Sequence, residues 1–131
     1  MSTLAIHHLG LAVKNLPETQ AFFIDCLGWE VAGEVPDYPA VFVTNGEAFL
    51  TLWQTNEGAT EFDRRANIGL HHFALRVSTE AALDELFSKV SNHPGVKVEF
   101  APEPLNGWPA KHFMIYEPGG IRMEFIYKAD A

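Results

Sequence analysis

The chain has 131 residues, of which 47% are hydrophobic, and this is enough for one domain or two small modules with a packed core. A formal net charge of −8 makes binding to nucleic-acid phosphates unfavourable, and no stretch approaches the roughly 20 apolar residues that cross a bilayer. A single cysteine excludes both an internal disulfide and a cysteine zinc cluster. We therefore expect a cytoplasmic protein without a targeting segment, with a small-molecule partner and neither nucleic acid nor membrane as a partner.

The first predicted element is a strand at residues 7–13, and a helix follows it. Along this strand large aliphatic residues alternate with small or polar ones, so one face suits packing against a helix and the other face carries His8. The helix is predicted to begin with Asn15 as its cap and to stop at Gly28. Its apolar stripe consists of Phe22, Phe23 and Leu27.

Three short strands are predicted after this helix, at residues 29–33, 40–44 and 48–54, and turn residues separate them. A charged stretch at residues 55–67 follows and is the best linker in the chain. The first module is therefore predicted to cover residues 1–54.

The second half repeats the first. The segment from His71 to Val77 matches the first strand, with the same His-His pair followed by the same alternation. A helix capped by Ser78 is predicted next, and then three more strands, so that residues 68–131 form a second module. The three strands predicted after this second helix lie at residues 96–100, 111–116 and 121–127, and a turn at residues 102–107 precedes the middle strand.

This order of elements predicts an α+β fold made of two βαβββ modules, that is, paired repeats of ferredoxin-like type. Neither module has enough apolar residues to bury its sheet face alone. We expect the two to form one curved mixed sheet with the helices outside.

Three side chains of metal-ligand type occupy equivalent faces of the predicted strands. His8 and His72 hold matching positions in the two first strands, and Glu124 lies among apolar neighbours in the last strand. A buried carboxylate is costly unless it is paired or bound to metal, and two imidazoles with one carboxylate are a recognised set for a divalent ion. His7 and His71 fall on the helix-facing side by the same counting, which favours a structural or supporting role over metal coordination.

The same residues belong to a recognisable pattern that covers essentially the whole chain. Its parts are residues 8–16, Phe22-Phe23, 26–29, 72–77 and 116–124. The pattern resembles the vicinal oxygen chelate superfamily, which includes glyoxalase I, extradiol dioxygenases, fosfomycin-resistance enzymes, methylmalonyl-CoA epimerase and bleomycin-binding proteins. By that resemblance the metal ligands are His8, His72 and Glu124, and the ion is one of Fe, Mn, Zn, Ni or Co.

Thr51 departs from the pattern of the glyoxalase I-like members, which usually carry a fourth ligand, a glutamate, in the last strand of the first half. Thr51 follows Gly46 at the same spacing as Glu124 follows Gly119, so it stands at that position. A neutral hydroxyl offers neither the charge nor the basicity of a carboxylate. Glutathione-type glyoxalase I activity is therefore disfavoured, while the three-ligand set of extradiol dioxygenases and fosfomycin-resistance enzymes remains.

Other side chains are candidates for substrate contact or proton transfer. His112 is a candidate proton carrier that would act with Glu124 as a catalytic residue, and Arg122 shares the face of Glu124, where it can meet an anionic substrate or pair with an acid. The remaining candidates for binding substrate, each of which also has an ordinary packing role, are Thr51, Trp53, Trp108, Met114 and Tyr116.

The resemblance implies a divalent-metal-dependent enzyme that chelates a small oxygenated substrate through two neighbouring oxygens. A glyoxalase-like lyase or isomerase and an extradiol dioxygenase are the leading versions. A fosfomycin-resistance-type transferase fits less well because of Gly10 and Met114, and a non-enzymatic bleomycin-type binding protein would not need the ligands. We expect a homodimer, with the site either within one chain or shared between exchanged halves of two chains.

Overall fold

A computed structural model describes residues 1–129, which divide into two compact units. The first unit is Met1–Ala59 and the second begins at Thr60, so the boundary lies inside the predicted linker. Each unit contains one strand, one helical segment and three further strands. The predicted α+β class with two βαβββ modules is confirmed, and each module has its own four-stranded mixed sheet.

The elements of the first unit are β1 (Leu9–Val13), α1 (Leu16–Ala21), β2 (Glu30–Val35), β3 (Ala40–Thr44) and β4 (Phe49–Gln54). The strands form a sheet in the order β1-β4-β3-β2, in which β1 runs parallel to β4 and the other neighbours are antiparallel. The helix α1 continues directly into a π-helical turn at Phe22–Cys26.

The start and end of this helical segment follow the predicted signals. The side chain of Asn15 accepts a hydrogen bond from the backbone N–H of Glu18, which satisfies one of the free donors at the helix start. After the π-helical turn Gly28 adopts a φ of 74°, a conformation that glycine takes without steric cost. Phe22 and Phe23 are fully buried, so the predicted apolar stripe packs into the core of the unit.

The elements of the second unit are β5 (Phe73–Arg76), α2 (Glu80–Ser91), β6 (Lys97–Pro104), β7 (Ala110–Tyr116) and β8 (Arg122–Lys128). The strands form a sheet in the equivalent order β5-β8-β7-β6, with β5 parallel to β8. β8 also pairs antiparallel with β7, and β7 with β6.

Two predictions for this unit are wrong in detail. Thr79, not Ser78, caps α2, because its hydroxyl accepts a hydrogen bond from the backbone N–H of Ala82. β6 extends to Pro104, through residues predicted as a turn, because its irregular pairing with β7 continues as far as Lys111.

The two faces of the second sheet differ in character. On the helix side Phe113 contacts Phe87 of α2, with ring centroids 5.1 Å apart, and stacks on Phe125 at 4.9 Å. Since side chains alternate along a strand, Met114 and Glu124 point to the opposite face. The apolar core of the unit therefore lies between the sheet and α2, and Glu124 lies on the face of the sheet away from the helix.

Both first strands begin later than predicted. β1 starts at Leu9 and β5 at Phe73, so His8 and His72 lie immediately before their strands. In the described part of the chain neither helix has the length and apolarity needed to span a membrane.

Candidate metal centre

Glu124 lies at the centre of the polar face of the second unit. It occupies the middle of β8 and pairs across the sheet with Ala74 on one side and Met114 on the other. The small side chain of Ala74 leaves space beside the carboxylate, and Met114 is buried. The side chain of Glu124 is 13% exposed, so it needs partners for both carboxylate oxygens.

Each oxygen of Glu124 faces a different histidine. Oε1 lies 3.3 Å from Nε2 of His72, and Oε2 lies 2.5 Å from Nδ1 of His112. His112 is buried, and its ring packs against Phe100 with centroids 4.9 Å apart. The structure thus brings together two of the three predicted metal ligands and the predicted proton carrier.

Arg122 shares this face but is held by an acid that the sequence analysis did not identify. Its Nε and Nη2 donate to the two carboxylate oxygens of Glu99 at 2.8 and 2.7 Å, a bidentate pair. These hydrogen bonds lower the pKa of Glu99 and raise the pKa of Arg122. The pairing of β6 with β7 shifts between Val98 and Phe100, and this irregularity brings Glu99 to Arg122 and Phe100 to His112 on one face.

His71 lies beside this pair and not on the helix side, so the prediction for its orientation is wrong. Nη1 of Arg122 is 3.2 Å from Nδ1 of His71, and this same nitrogen is 2.7 Å from Nδ1 of His72. The alternation used in the prediction begins only at Phe73, where the strand starts. Loss of hydration, followed by the positive charge of Arg122, lowers the pKa of His71.

Tyr116 also lies near Arg122, and its partner was not predicted. Its hydroxyl is 2.7 Å from Nη1 of Arg64, which can only donate, so the hydroxyl oxygen accepts. Tyr116 and Arg122 face each other across the β7–β8 pair. Arg64 lies in the charged stretch read as a linker, where nothing in the sequence marks it for this contact.

The first unit carries three of the candidate residues, His8, Thr51 and Trp53. His8 contacts His7 through their Nδ1 atoms at 2.8 Å, the same contact as in the second unit. Thr51 is buried, and its hydroxyl oxygen accepts a hydrogen bond from the indole N–H of Trp53 at 2.8 Å. A Cβ at Gly10 would lie 3.1 Å from this oxygen, so the small residue at position 10 makes room for the Thr51 side chain.

The remaining candidate, Trp108, is 66% exposed in the turn between β6 and β7. Within residues 1–129, no three His, Cys, Asp or Glu side chains are arranged to hold a metal ion together. Two of the predicted ligands, His72 and Glu124, do lie close together in the second unit.

A family model matches this chain. Residues 5–125 match the model of the Glyoxalase/Bleomycin resistance protein/Dioxygenase superfamily, which is almost the whole chain. No curated protein sequence matches the chain.

Several solved structures are similar in fold. A glyoxylase/bleomycin resistance protein/dioxygenase domain from Frankia sp. EAN1pec has a TM-score of 0.82 and 19% identity, over 99% of this chain and 96% of that one. Lactoylglutathione lyase from Agrobacterium tumefaciens has a TM-score of 0.73 and 21% identity, over 97% and 96%. A mutant of the fosfomycin resistance protein FosX from Listeria monocytogenes, complexed with Mn(II) and 1S,2S-dihydroxypropylphosphonic acid, has a TM-score of 0.74 and 19% identity, over 98% and 94%.

Proposed function

Because this chain belongs to the Glyoxalase/Bleomycin resistance protein/Dioxygenase superfamily, we propose that it is a divalent-metal-dependent enzyme acting on a small oxygenated substrate. The observation that carries the proposal is the approach of His72 Nε2 to Glu124 Oε1 at 3.3 Å. His8 is the third proposed ligand, since it holds in the first unit the position that His72 holds in the second.

The donor atoms fit a divalent ion. Ligand atoms that each lie about 2.0–2.2 Å from a metal are about 3 Å from one another, which is close to the separation of the His72 and Glu124 atoms. Imidazole nitrogen and carboxylate oxygen together suit Fe, Mn, Zn, Ni and Co. The position of Glu124, mostly buried with a histidine at each oxygen, also restricts the rotation of the carboxylate.

A bound divalent ion would act as a Lewis acid and stabilise negative charge on the substrate oxygens. The Nδ1–H of His112 donates a hydrogen bond to Oε2 of Glu124, and we assign these two residues to proton transfer at the substrate. Met114, Tyr116 and Arg122 share the face of Glu124 and are the proposed substrate contacts in this unit. Thr51, Trp53 and Trp108 are the other proposed contacts.

The hydrogen-bonded pair of His112 and Glu124 favours a glyoxalase-like lyase or isomerase, because such a reaction moves a substrate proton. Thr51 argues against the glutathione-type reaction, because its hydroxyl oxygen already accepts from Trp53 and carries no charge. In a structure with bound metal we expect this oxygen to lie beyond the roughly 2.0–2.6 Å range of hard oxygen ligands. A direct Thr51–metal bond would contradict that assignment.

An extradiol dioxygenase is the second candidate. Two histidines and one carboxylate are the donor set of the Fe(II) oxygenases that keep coordination positions open for substrate and dioxygen. Dioxygen uptake with catechols by the Fe(II)-loaded protein would favour this reaction. Turnover with Zn(II) or Ni(II) in the absence of dioxygen would favour the lyase or isomerase.

A fosfomycin-type transferase and a drug-binding protein are less well supported. Met114 is a buried thioether opposite Glu124, where the transferase version calls for a tyrosine hydroxyl. A binding protein that traps a drug in its cavity has no need for the His72–Glu124 pair.

Metal titration of purified variants tests the proposal. The unaltered protein is expected to bind about one divalent ion per chain by calorimetry and elemental analysis, and His72→Ala, Glu124→Ala and His8→Ala should each weaken binding sharply. Glu85→Ala, which changes an exposed acid on α2, is the matched control and should bind as the unaltered protein does. Unchanged affinity in both Glu124→Ala and His72→Ala would contradict the proposal.

A further inference from the structure

Four side chains of the second unit form a continuous line of hydrogen bonds that ends at the proposed ligand His72. Glu99 accepts from Nε and Nη2 of Arg122, whose Nη1 contacts Nδ1 of His71 at 3.2 Å. His71 in turn contacts Nδ1 of His72 at 2.7 Å. These four residues, Glu99–Arg122–His71–His72, form the relay.

The chemistry of arginine fixes the direction of each hydrogen bond in the relay. A guanidinium has N–H donors and no acceptor, so Nδ1 of His71 must carry a lone pair and the proton of His71 must be on Nε2. Two nitrogen lone pairs would repel each other at 2.7 Å. Nδ1 of His72 therefore carries a proton and donates to His71, whose lone pair is shared between the near His72 and the more distant Arg122.

It follows that the other nitrogen of His72 is free to bind a cation. A neutral imidazole carries one proton, so with Nδ1 protonated Nε2 presents a lone pair. This lone pair faces Oε1 of Glu124 at 3.3 Å, and both atoms are acceptors. A cation between them removes the repulsion.

We propose that His71 is a positioning residue that, held by Arg122 and Glu99, keeps the proton of His72 on Nδ1 and so presents Nε2 to the metal. The inference rests on the proposed function, since it takes His72 as a ligand. It also assigns Arg122 a task other than substrate contact, because three of its nitrogens face Glu99 and His71. Partners of this kind fix the ring orientation and basicity of metal-binding histidines generally.

The first unit supports the geometry of the contact. His7 and His8 meet through Nδ1 atoms at 2.8 Å, with ring centroids 5.1 Å apart, against 5.0 Å for His71 and His72. The same arrangement thus forms at the start of both first strands. In the second unit Arg122 additionally fixes the direction of the hydrogen bond between the two histidines.

Three variants separate positioning from mere packing. His71→Phe keeps a ring but removes the acceptor, while His71→Asn restores an acceptor because its Oδ1 stands at the place of the imidazole Nδ1. Arg122→Met removes the donor that fixes the direction. His71 is exposed, so its replacement should leave the core intact, and the far-ultraviolet circular dichroism spectrum checks the fold.

The first measurement is the tautomer of His72 in the metal-free chain. At about pH 8, above the ordinary imidazole pKa, long-range proton–nitrogen spectra report which ring nitrogen carries the proton, and comparison with His72→Ala assigns the signals. We expect Nδ1–H in the unaltered chain and in His71→Asn. In His71→Phe and Arg122→Met the Nε2–H form, which predominates in free histidine, should appear.

The second measurement is Zn(II) affinity by calorimetry. His71→Phe should bind about 10- to 100-fold more weakly, the usual cost of losing a partner of a metal ligand, and His71→Asn should recover most of this loss. Nε2–H in the unaltered chain, or unchanged affinity in His71→Phe, would overturn the inference. Absence of Zn(II) binding together with Nδ1–H at His72 would instead overturn the proposed function and leave the tautomer assignment standing.

Discussion

The turn between β7 and β8 depends on Glu117, and its replacement offers a sharp test of how Glu124 is placed. Glu117 is 2% exposed, and its carboxylate accepts from the backbone N–H groups of Gly119 at 2.7 Å and Ile121 at 3.1 Å. A carboxylate that binds two backbone donors fixes the path of the chain through the turn. That path sets the β7–β8 register in which Met114 pairs with Glu124.

The expected loss can be worked out from these two hydrogen bonds. A hydrogen bond to a charged group contributes about 1.5–3 kcal/mol, so Glu117→Ala, which removes both, should lower the free energy of unfolding by about 3–6 kcal/mol. The upper end of this range reaches the lower end of the whole stability of natural domains, which is about 5–15 kcal/mol. Glu117→Gln keeps one acceptor and is the informative variant, with an expected loss of about 1.5–3 kcal/mol.

Urea denaturation followed by circular dichroism measures this loss, and Zn(II) calorimetry measures its effect on the site. Glu85→Gln is the control, since it makes the same change at an exposed position of α2. Glu117→Gln should also weaken metal binding, because the register that presents Glu124 is less well held. A loss in Glu117→Gln no larger than that in Glu85→Gln would refute the reasoning.

Three further outcomes are expected. Because the pKa of Glu99 is lowered in the folded state, its pair with Arg122 should stabilise the protein above the ordinary carboxyl pKa and lose its effect as the pH falls through the lowered value. The difference in unfolding free energy between the unaltered protein and Glu99→Gln should therefore shrink from about pH 6 to about pH 3. A difference that stays constant over this range would contradict the expectation. Gly10→Ala should cost about 1 kcal/mol by crowding the Thr51 hydroxyl, and less in a Thr51→Ala background, as urea denaturation can show; equal costs in the two backgrounds would argue against the contact. The protein is expected to sediment as a homodimer at micromolar concentration, and a monomer would reject that expectation.

Much of the architecture follows from local sequence alone. The repeated His-His pair and the alternation after it predict two equivalent strands, and Asn15 and Gly28 mark the limits of the first helix, as the structure confirms. These features act over a few residues, through side-chain alternation, capping and the backbone freedom of glycine. They do not depend on distant parts of the chain.

The candidate ligands were also predictable, although only as members of a pattern. Glu124 lies between Met123 and Phe125, which are buried on the helix side, so alternation places the carboxylate on the other face. The contact of Glu124 with His72 then follows from the parallel pairing of β5 with β8.

What only the tertiary structure decided is which polar groups meet across the sheet. Glu99 reaches Arg122 because the register of β6 against β7 shifts after Val98. No residue type in that segment predicts the shift. His71 turns towards Arg122 because β5 begins two residues later, beyond the range in which alternation applies. Local sequence fixes the conformation of a strand, but the partners of its polar side chains depend on register between segments far apart in the chain, and that is set only when the sheet is assembled.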